Sequence, residues 1–368
     1  MPWRLPWVPV TTPAPASSAQ QAAELAPYTT LRLGGPARRL VVAGCSQDCV
    51  EAVRAADTAG EPLLLLAGGS NLVIGDSGFG GTAVRMASTG VHIDSAGVLH
   101  AAAGEDWDGV VAHTVGAGYG GLECLSGIPG SVGATPVQNV GAYGVELSDL
   151  LLDVDLYDRR RGVLRTVPAS ELRLGYRSSV LKGTDTAVVL QVRLALRPGG
   201  LSAPIRYPEL ARALGVEPGC RVPAALARAA VLELRRRKGM VLEAADHDTW
   251  SVGSFFTNPV LAAGPAAEVL ERITARVGPQ VAVPQYPGGP GQVKFSAAWL
   301  IEQAGFAKGH PGPGGRVALS GKHTLALTNR GGARTEDLLA LAREIRDGVI
   351  AHFGVTLVPE PVLVGCTL

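Results

Sequence analysis

One serine in this chain of 368 residues has surroundings that would let a hydroxyl take part in proton transfer. Ser254 lies between a glycine and two phenylalanines in the segment Gly253–Pro259 (GSFFTNP). In an aromatic turn that excludes water a hydroxyl can donate a proton to a substrate, whereas a solvent-exposed hydroxyl contributes little to catalysis. A serine beside glycine is more often a turn former that satisfies a backbone group, and this segment alone favours that interpretation.

Two glycine-rich segments upstream could hold an anionic cofactor. Leu65–Leu72 (LLAGGSNL) is a hydrophobic strand that runs into two glycines, whose N–H groups could form a nest for phosphate. Gly127–Gly144 contains five glycines and two prolines within 18 residues, well above their ordinary share. Such a backbone allows close approach of a ligand and has few conformational states to lose. Neither segment has the Rossmann or P-loop pattern, which excludes those two kinds of nucleotide site.

An α+β scaffold is needed to position these segments, and the hydrophobic pattern predicts one. Arg39–Ala43 and Pro62–Leu66 are typical of strands, and Gln47–Ala59, preceded by the cap Ser46, is typical of a helix. The second strand of this βαβ unit leads into the Gly68–Gly69 turn. Further strands are predicted over Leu151–Tyr157 and Ala187–Leu194, and helices over Ala224–Lys238, Pro265–Val277, Ser296–Ala304 and Thr335–Phe353.

Composition and charge exclude several classes of protein. The net charge is +1 with both signs spread along the chain, which gives no electrostatic footprint for nucleic acid or an anionic membrane. Arg235–Lys238 (RRRK) is the one dense basic cluster, and its simplest interpretation is a solvated helix end. Five cysteines are an odd number and indicate reduced thiols in a cytoplasmic protein. Cys45 and Cys49 lack the further ligands of a zinc site, so we expect no metal.

Length and local composition also predict the division of the chain. A chain of 368 residues suggests two or three packed units, with a change of pattern at Arg197–Gly200. Residues 1–27 are rich in Pro, Ala, Ser and Thr and lack the apolar core of a signal peptide, which predicts a flexible extension. There is no uninterrupted run of about eighteen apolar residues, so no membrane span is predicted.

Seven short motifs occur in the order found in one enzyme family. Together they extend from about Tyr28 to Gly365 and resemble the UDP-N-acetylenolpyruvoylglucosamine reductase family, flavoenzymes that complete UDP-N-acetylmuramic acid in bacterial cell-wall synthesis. The motifs are Thr30–Gly35 (TLRLGG), Gly68–Leu72 (GGSNL), Gly127–Gly130 (GIPG), Gln138–Gly144 (QNVGAYG), Gly175–Ser178 (GYRS), Gly253–Pro259 and Pro359–Pro361 (PEP).

The resemblance implies a fold and its divisions. The expected class is α+β, with a two-lobed FAD-binding domain of the vanillyl-alcohol-oxidase (PCMH) type and an α+β substrate-binding domain. The expected first lobe covers residues 28–90, the second lobe residues 91–200, and the substrate domain residues 201–368. The C-terminal segment of the substrate domain is expected to return to the active site.

The resemblance also assigns catalytic roles to three side chains. Reduction of an enolpyruvyl ether adds a hydride at C3 and a proton at C2, and since no side chain donates hydride, N5 of reduced FAD must do so. Ser254 is the implied proton donor, and Arg177 is the implied cation that grips the substrate carboxylate. Glu360, held between two prolines, would stabilise the enol-like intermediate by a hydrogen bond. Without the resemblance, Arg177 could equally be a surface ion-pair partner, and Glu360 a strand-edge carboxylate.

The implied ligands are non-covalently bound FAD, NADPH as the reductant and UDP-N-acetylglucosamine enolpyruvate as the substrate, in a monomer. Tyr207 lies in an insertion that resembles the family's lid, although an exposed turn aromatic explains it as well. Thr257 departs from the family, which often has a longer polar residue there, and this weakens the assignment of substrate contacts. The implied cofactor-binding residues are Gly68, Gly69, Ser70, Asn71, Leu72, Gly130, Ser131, Gly133, Ala134, Gln138, Asn139, Gly141, Ala142, Tyr143 and Gly144, and the implied substrate-binding residues are Tyr176, Tyr207, Lys238, Asn258 and Gln303.

Two alternatives stay open at this point. A flavin oxidoreductase of the same fold that oxidises an alcohol or sugar commonly tethers its flavin through His or Cys, and the glycine-rich segments offer neither at an obvious attachment point. A non-catalytic protein that binds flavin or a UDP-sugar would need none of Ser254, Arg177 and Glu360.

Overall fold

The computed structural model describes residues 18–368, and the first 17 residues of the predicted extension lie outside the described part. Ser18–Glu24 forms β1, which pairs antiparallel with β2 (Pro36–Ala43), and a 3-10 helix follows β1 at Ala26–Tyr28. Ala23 and Leu25 are buried in this arrangement. The prediction of a flexible segment is therefore wrong for residues 18–27, because the backbone of a small and polar segment can complete a sheet edge without a strong hydrophobic pattern.

The first lobe is a four-stranded sheet in the order β1-β2-β5-β3, in which β5 runs parallel to both of its neighbours. Its helix α1 buries Cys49, Val50, Val53 and Ala56, which lie on one face at helical spacing. The helix cap is Cys45, one residue before the predicted cap, and its sulfur accepts a hydrogen bond from Asp48 N at 3.4 Å. The remaining elements of this lobe are α1 (Ser46–Thr58), β3 (Leu63–Leu66), β4 (Leu72–Ile74) and β5 (Phe79–Met86).

The second lobe is built on a five-stranded antiparallel sheet in the order β11-β10-β12-β7-β6. Trp107 is fully buried in its core, and the indole N–H donates to Leu125 O at 3.0 Å. Tyr157 and Val188 of this sheet join a cluster with Val53 of α1, so the two lobes share packing. The elements are β6 (Val91–Ile93), β7 (Val98–Ala102), α2 (Trp107–Gly116), β8 (Gly141–Ala142), β9 (Val145–Glu146), β10 (Leu151–Asp158), β11 (Val163–Pro168) and β12 (Ala187–Ala195).

The rest of the chain packs mainly around one long helix, α7, which buries Leu338, Ile345 and Phe353 in the same core as Phe255 and Phe256. A three-stranded sheet in the order β13-β15-β14 and the hairpin β16-β17 belong to this part. The elements are α3 (Pro208–Leu214), α4 (Ala224–Arg237), β13 (Val260–Ala262), α5 (Ala263–Val277), β14 (Gln285–Gly289), β15 (Gln292–Phe295), α6 (Ala297–Gln303), β16 (Val317–Leu319), β17 (Leu327–Asn329), α7 (Thr335–Phe353) and β18 (Val362–Val364).

Two connections tie this last part to the lobes. Helices α3 and α4 pack into the second-lobe core through Leu210, Val231 and Leu234, although the sequence analysis assigned them to the substrate domain. Strand β18 pairs in parallel with β4 of the first lobe, with Val362 opposite Leu72. The segment before β18 is thereby drawn into the middle of the molecule. No helix within residues 18–368 combines the length and apolarity that a membrane span needs.

Candidate active site

A cavity of about 720 Å³ lies where the two lobes meet the last part of the chain. It is lined by Ser254, Arg177 and Glu360, which come from three separate segments of the sequence. The lining also includes both glycine-rich segments, so the cavity joins the predicted catalytic residues to the predicted cofactor residues. Its size is in the range of ordinary cofactor and ligand sites. No cysteine or histidine of the described chain lines it.

The two glycine-rich segments pass each other with their backbones in contact. A Cβ atom on Gly68 would lie 2.7 Å from Gly130 Cα, so Gly68 must lack a side chain, and Gly130 has φ +131°, which favours glycine. Gly69 has φ +59°, and a Cβ there would lie 2.0 Å from Tyr28 O. Gly68 therefore allows the close approach of the first lobe to the second, and Gly69 allows its turn to pack against Tyr28 within the first lobe.

The Gly68→Ala variant is expected to disturb this contact. An added methyl group would push apart two backbones that cannot rotate away, which should lower the free energy of unfolding by about 1–3 kcal/mol. Affinity for FAD should fall as the wall moves. Chemical denaturation and FAD titration of the variant check both effects. Gly80→Ala is the matched control, because a Cβ at Gly80 meets no atom within 4 Å, and it should change neither quantity. Equal behaviour of the two variants would contradict this account of the wall.

Ser254 is held on a short segment that is fixed at both ends. Gly253 before it has φ +75°, and Phe255 N after it donates to Leu325 O at 2.8 Å. Phe255 and Phe256 are fully buried, whereas Ser254 is partly exposed and lines the cavity. The buried phenylalanines therefore anchor the segment and leave the serine facing the cavity.

The same segment positions Glu360. Its backbone N–H donates to Phe255 O at 2.9 Å, and Thr257 N donates to Val358 O at 3.0 Å, so the two segments pair like short strands. Strand β18 continues directly from this pairing. The C-terminal segment thus brings Glu360 to the cavity that Ser254 also lines.

Arg177 and Glu360 form an ion pair at the cavity, with 3.5 Å between Arg177 Nε and Glu360 Oε1. Arg177 Nη2 donates to Gly141 O at 2.7 Å, and Lys182 Nζ donates to Arg177 O at 2.9 Å. Burial raises the pKa of the Glu360 carboxyl, and the positive charges of Arg177 and Lys182 oppose that shift only in part. Glu360 is therefore more readily protonated than an ordinary glutamate. Arg177 itself has φ +52°, a left-handed backbone conformation that is unusual for a residue with a side chain.

Ten of the predicted cofactor residues line the cavity and five do not. The cavity residues include Ser131, whose buried hydroxyl has no hydrogen-bond partner, and Ser70 and Asn71, whose backbone N–H groups donate to no acceptor within residues 18–368. Free donors beside closely packed glycines fit the phosphates of FAD. The ten are Gly69, Ser70, Asn71, Leu72, Gly130, Ser131, Gly133, Ala134, Gln138 and Gly141, and the residues outside the lining are Gly68, Asn139, Ala142, Tyr143 and Gly144.

Two of the five residues outside the lining have structural roles that the motif did not reveal. The Asn139 amide donates to Glu146 Oε2 and Gly175 O and accepts from Ser148 N, so the side chain is fully occupied within the protein. Gly68 contacts the opposite backbone, as described above. Sequence alone could not separate residues that face a ligand from neighbours that hold the loop, because both kinds occur in one motif.

None of the five predicted substrate-binding residues lines the cavity. Asn258 Oδ1 accepts a hydrogen bond from Ala297 N at the start of α6, and Gln303 ends the same helix. Tyr176 is 54% exposed, with Lys294 Nζ 4.9 Å and Arg177 Cζ 5.4 Å from its ring centre. The assignments of these residues to the substrate stay predictions.

Tyr207 and Lys238 are connected through Glu209 on helix α3, which begins directly after Tyr207. The ring of Tyr207 stands edge-on to Tyr143, with 5.4 Å between ring centres. Lys238 Nζ lies 2.6 Å from the carboxylate of Glu209, on the first turn of the helix that follows Tyr207. Lys238 is followed by Gly239 and Met240, which line the cavity. The predicted lid segment is thus attached to the second lobe and to the end of α4.

The sequence analysis missed Arg235, which lines the cavity. The basic cluster was interpreted as a solvated helix end, and this is wrong for its first member, because Arg235 Nε is buried without a hydrogen-bond partner. The available signal was helical spacing, since Arg235 lies four residues after the buried Val231 and so on the inner face of α4. Arg236 and Arg237 are exposed, as expected for the helix end.

Comparison with known proteins decides the family. The chain is 66% identical to the UDP-N-acetylenolpyruvoylglucosamine reductase of Saccharopolyspora erythraea over 348 residues, which are 94% of this chain and 95% of that protein. The chain belongs to the UDP-N-acetylenolpyruvoylglucosamine reductase family. A reductase of the same name from Nocardia farcinica is 59% identical over 96% of this chain and 91% of its own length. The predicted family is therefore confirmed, and the chain is an oxidoreductase.

Matches to parts of the chain agree with the predicted fold. The C-terminal domain model of the reductase family matches residues 245–364, and an FAD-binding domain model matches residues 37–167. The fold is also similar to the crystal structure of the reductase from Thermus caldophilus, with a TM-score of 0.65, 24% identity, and coverage of 95% of this chain and 98% of that chain. The predicted α+β fold with an FAD-binding domain is confirmed.

Proposed function

We propose that this protein reduces UDP-N-acetylglucosamine enolpyruvate to UDP-N-acetylmuramate in the synthesis of peptidoglycan precursors, with NADPH as the reductant. The observation that carries the proposal is the convergence of Ser254, Arg177 and Glu360 on one cavity whose walls are the glycine-rich segments. The relatives named above bear the name of this reductase, which supports the same substrate. The choice of NADPH rests on the family resemblance.

FAD is the cofactor that the cavity fits. Ser70, Asn71 and Ser131 would hold it through the free donors described above, and the paired glycines allow its close approach. When bound, FAD supplies the hydride that no side chain can donate. Because the described lining contains no cysteine or histidine, we propose that FAD is held without a covalent bond.

Ser254 is proposed to donate the proton to C2 of the substrate. Its position on an anchored segment fixes the direction of the hydroxyl, which is a weak acid and needs a strongly basic carbon next to it. Phe255 and Phe256 pack in the core behind the serine rather than in the lining of the cavity, so they anchor the segment that carries it.

Arg177 and Glu360 are proposed to bind the carboxylate end of the substrate. A planar guanidinium can grip a carboxylate through two hydrogen bonds and stays charged in a dry site. Burial raises the pKa of Glu360 and so favours the protonated carboxyl, which in that form would donate a hydrogen bond to the negative charge that develops beside it. The ion pair between the two side chains would then loosen when the substrate arrives.

Lys238 is proposed to bind the diphosphate of the substrate, with Tyr207 closing over it as a lid. The Lys238 ammonium forms an ion pair with Glu209. The diphosphate would therefore displace the Glu209 carboxylate from Lys238 or bind Lys238 together with it. The cytoplasm, where nucleotide sugars and NADPH are found, is the proposed location, and a monomer is the proposed state.

The Lys238→Met variant is expected to raise KM for the enolpyruvyl substrate about ten- to hundredfold, because a charge-assisted hydrogen bond is worth about 1.5–3 kcal/mol. Steady-state kinetics with the substrate as the varied reactant check this. Glu209→Gln is the matched control, since it keeps Lys238 and removes only the competing carboxylate, and its KM should be unchanged or lower. An unchanged KM for Lys238→Met would contradict the proposed role.

Product analysis tests the proposed function directly. The purified protein, loaded with FAD, is incubated with NADPH and UDP-N-acetylglucosamine enolpyruvate, and the nucleotide sugar is then analysed by mass spectrometry. The proposal predicts a product heavier than the substrate by two hydrogen atoms, formed only when both reactants are present. Recovery of unchanged substrate while NADPH is consumed would reject the substrate but leave a flavin oxidoreductase.

A further inference from the structure

Lys182 is a half-buried lysine whose ammonium contacts the backbone of the candidate active site. Its Nζ donates to Arg177 O at 2.9 Å, and the two residues are five positions apart in the chain. No salt bridge within residues 18–368 includes Lys182, so the hydrogen bond to this carbonyl, rather than a carboxylate, holds the ammonium in place. The proposed roles of Ser254, Arg177 and Glu360 make no use of this lysine.

The carbonyl that Lys182 contacts belongs to a strained residue at the tip of a tight turn. Gly175 and Ser178 close the turn through two backbone hydrogen bonds, with Gly175 N 3.0 Å from Ser178 O and Ser178 N 3.1 Å from Gly175 O. Arg177 has φ +52°, a conformation for which turns usually use glycine. Such strain costs about 1–3 kcal/mol and persists only where the surroundings enforce it. The hydrogen bond from Lys182 is one such restraint, because it fixes the carbonyl of the strained residue.

The segment that carries Lys182 is anchored to the second lobe independently of this turn. Leu181 is buried in the second-lobe core, and Leu181 N donates to Ser179 Oγ at 3.0 Å. The Ser179 hydroxyl donates in turn to Val137 O at 2.5 Å. Lys182 therefore extends from a fixed backbone to the tip of the turn that carries Arg177.

Lys182 also acts on Glu360 through its charge. Burial raises the pKa of Glu360, and within residues 18–368 the charged side chains that oppose this shift are Arg177 and Lys182. Arg177 pairs with Glu360 directly, whereas Lys182 makes no salt bridge to it and acts over a longer distance. One lysine thus restrains the backbone of one proposed catalytic residue and lowers the pKa of another.

We infer that Lys182 is a positioning residue of the active site, which holds Arg177 in its strained conformation and keeps a second positive charge near Glu360. The inference rests on the proposed function, which gives Arg177 and Glu360 their roles in the reaction. It requires no contact between Lys182 and a bound ligand.

The test compares a loss of charge with a loss of anchoring in one segment of the chain. Lys182→Met removes both the hydrogen bond to Arg177 O and the charge, whereas Lys182→Arg keeps a cation that can donate to the same carbonyl. Ser179→Ala is the matched control, because it removes two hydrogen bonds of the anchor and leaves Lys182 unchanged.

Two quantities are measured for each variant. The pKa of Glu360 is obtained by NMR titration of FAD-loaded protein that carries carbon-13 at the glutamate carboxyl groups, with Glu360→Gln identifying the signal. The rate of reoxidation by UDP-N-acetylglucosamine enolpyruvate is obtained by anaerobic stopped flow after photochemical reduction, so that NADPH plays no part. The titration needs no substrate, so a failed inference appears as an unshifted pKa, whereas a failed function appears as wild-type protein that forms no product.

Lys182→Met should raise the pKa of Glu360, because a positive charge that favours the carboxylate is lost. It should also slow reoxidation about ten- to hundredfold, as expected for the loss of one hydrogen bond from a charged group. Lys182→Arg should recover most of both quantities. Ser179→Ala should lower the Tm but leave the pKa of Glu360 at its wild-type value, because it changes no charge.

Three results would overturn the inference. An unchanged pKa of Glu360 in Lys182→Met would show that the charge of the lysine does not reach the carboxyl. Wild-type reoxidation by Lys182→Met would show that Arg177 keeps its conformation without the lysine. A pKa shift of Glu360 in Ser179→Ala as large as that in Lys182→Met would show a general loosening of the segment. If Lys182→Met does not fold, Lys182→Gln gives the same decision, because it also removes the charge.

Discussion

The Ser254→Ala variant is expected to lower the rate at which the enolpyruvyl substrate reoxidises the reduced protein by about 10²–10⁴-fold, the usual contribution of a positioned acid. Reduction by NADPH should proceed at the wild-type rate, because Ser254 is proposed to act only in proton delivery to the substrate. The fold should be retained, since the segment is held by Phe255 and Phe256 rather than by the hydroxyl. Anaerobic stopped-flow absorbance separates the two half-reactions.

A neighbouring serine provides the control for this variant. Ser251 also lines the cavity, but its hydroxyl accepts a hydrogen bond from Gly253 N at 3.2 Å and so belongs to the turn. Ser251→Ala should change the reoxidation rate far less than Ser254→Ala does. Wild-type reoxidation by Ser254→Ala would remove the serine from the mechanism and revive the interpretation of a turn-forming residue.

The Glu360→Gln variant is expected to slow the same half-reaction by about 10²–10³-fold, as found when one group that stabilises a developing negative charge is lost. Glutamine keeps the size of the side chain and the hydrogen bond of Glu360 N to Phe255 O. It removes the ionisable carboxyl group, whose pKa is raised by burial and which forms the ion pair with Arg177. Stopped-flow reoxidation measures the loss.

A variant in the same pair of backbone segments provides the control for Glu360→Gln. Thr257 and Val358 pair next to Phe255 and Glu360, and the Thr257 hydroxyl donates to Val358 O at 3.3 Å. Thr257→Ala removes this hydrogen bond and leaves the carboxylate of Glu360 unchanged. It should leave the rate of reoxidation near the wild-type value. If Glu360→Gln were as active as Thr257→Ala, Glu360 would be a strand-edge carboxylate with no part in the chemistry.

The spacing of apolar residues along the sequence correctly predicted the main helices and strands of the fold. The βαβ unit was predicted from hydrophobic spacing, and the structure forms β2, α1 and β3 within a few residues of the predicted bounds. The long helix Thr335–Phe353 has its predicted ends. Each of these elements buries one face, and the regular spacing of its apolar residues in the sequence indicates which face that is.

Tertiary contacts decided the features that the sequence could not predict. Ser18–Glu24 forms a strand because β2 offers an unpaired edge, which no feature of the segment's own composition shows. Arg235 and Arg236 are adjacent and chemically identical, yet one lines the cavity and the other is exposed. Asn139 and Gln138 belong to one motif, yet only Gln138 reaches the cavity. In each case the environment is set by elements that lie far away in the chain.

The most direct test of the central proposal follows the flavin absorbance of the purified protein without oxygen. NADPH is added first, and UDP-N-acetylglucosamine enolpyruvate is added after the absorbance has bleached. The account predicts that the oxidised spectrum returns on the second addition, in proportion to the substrate supplied. Bleaching that persists in the presence of the substrate would contradict the proposed function.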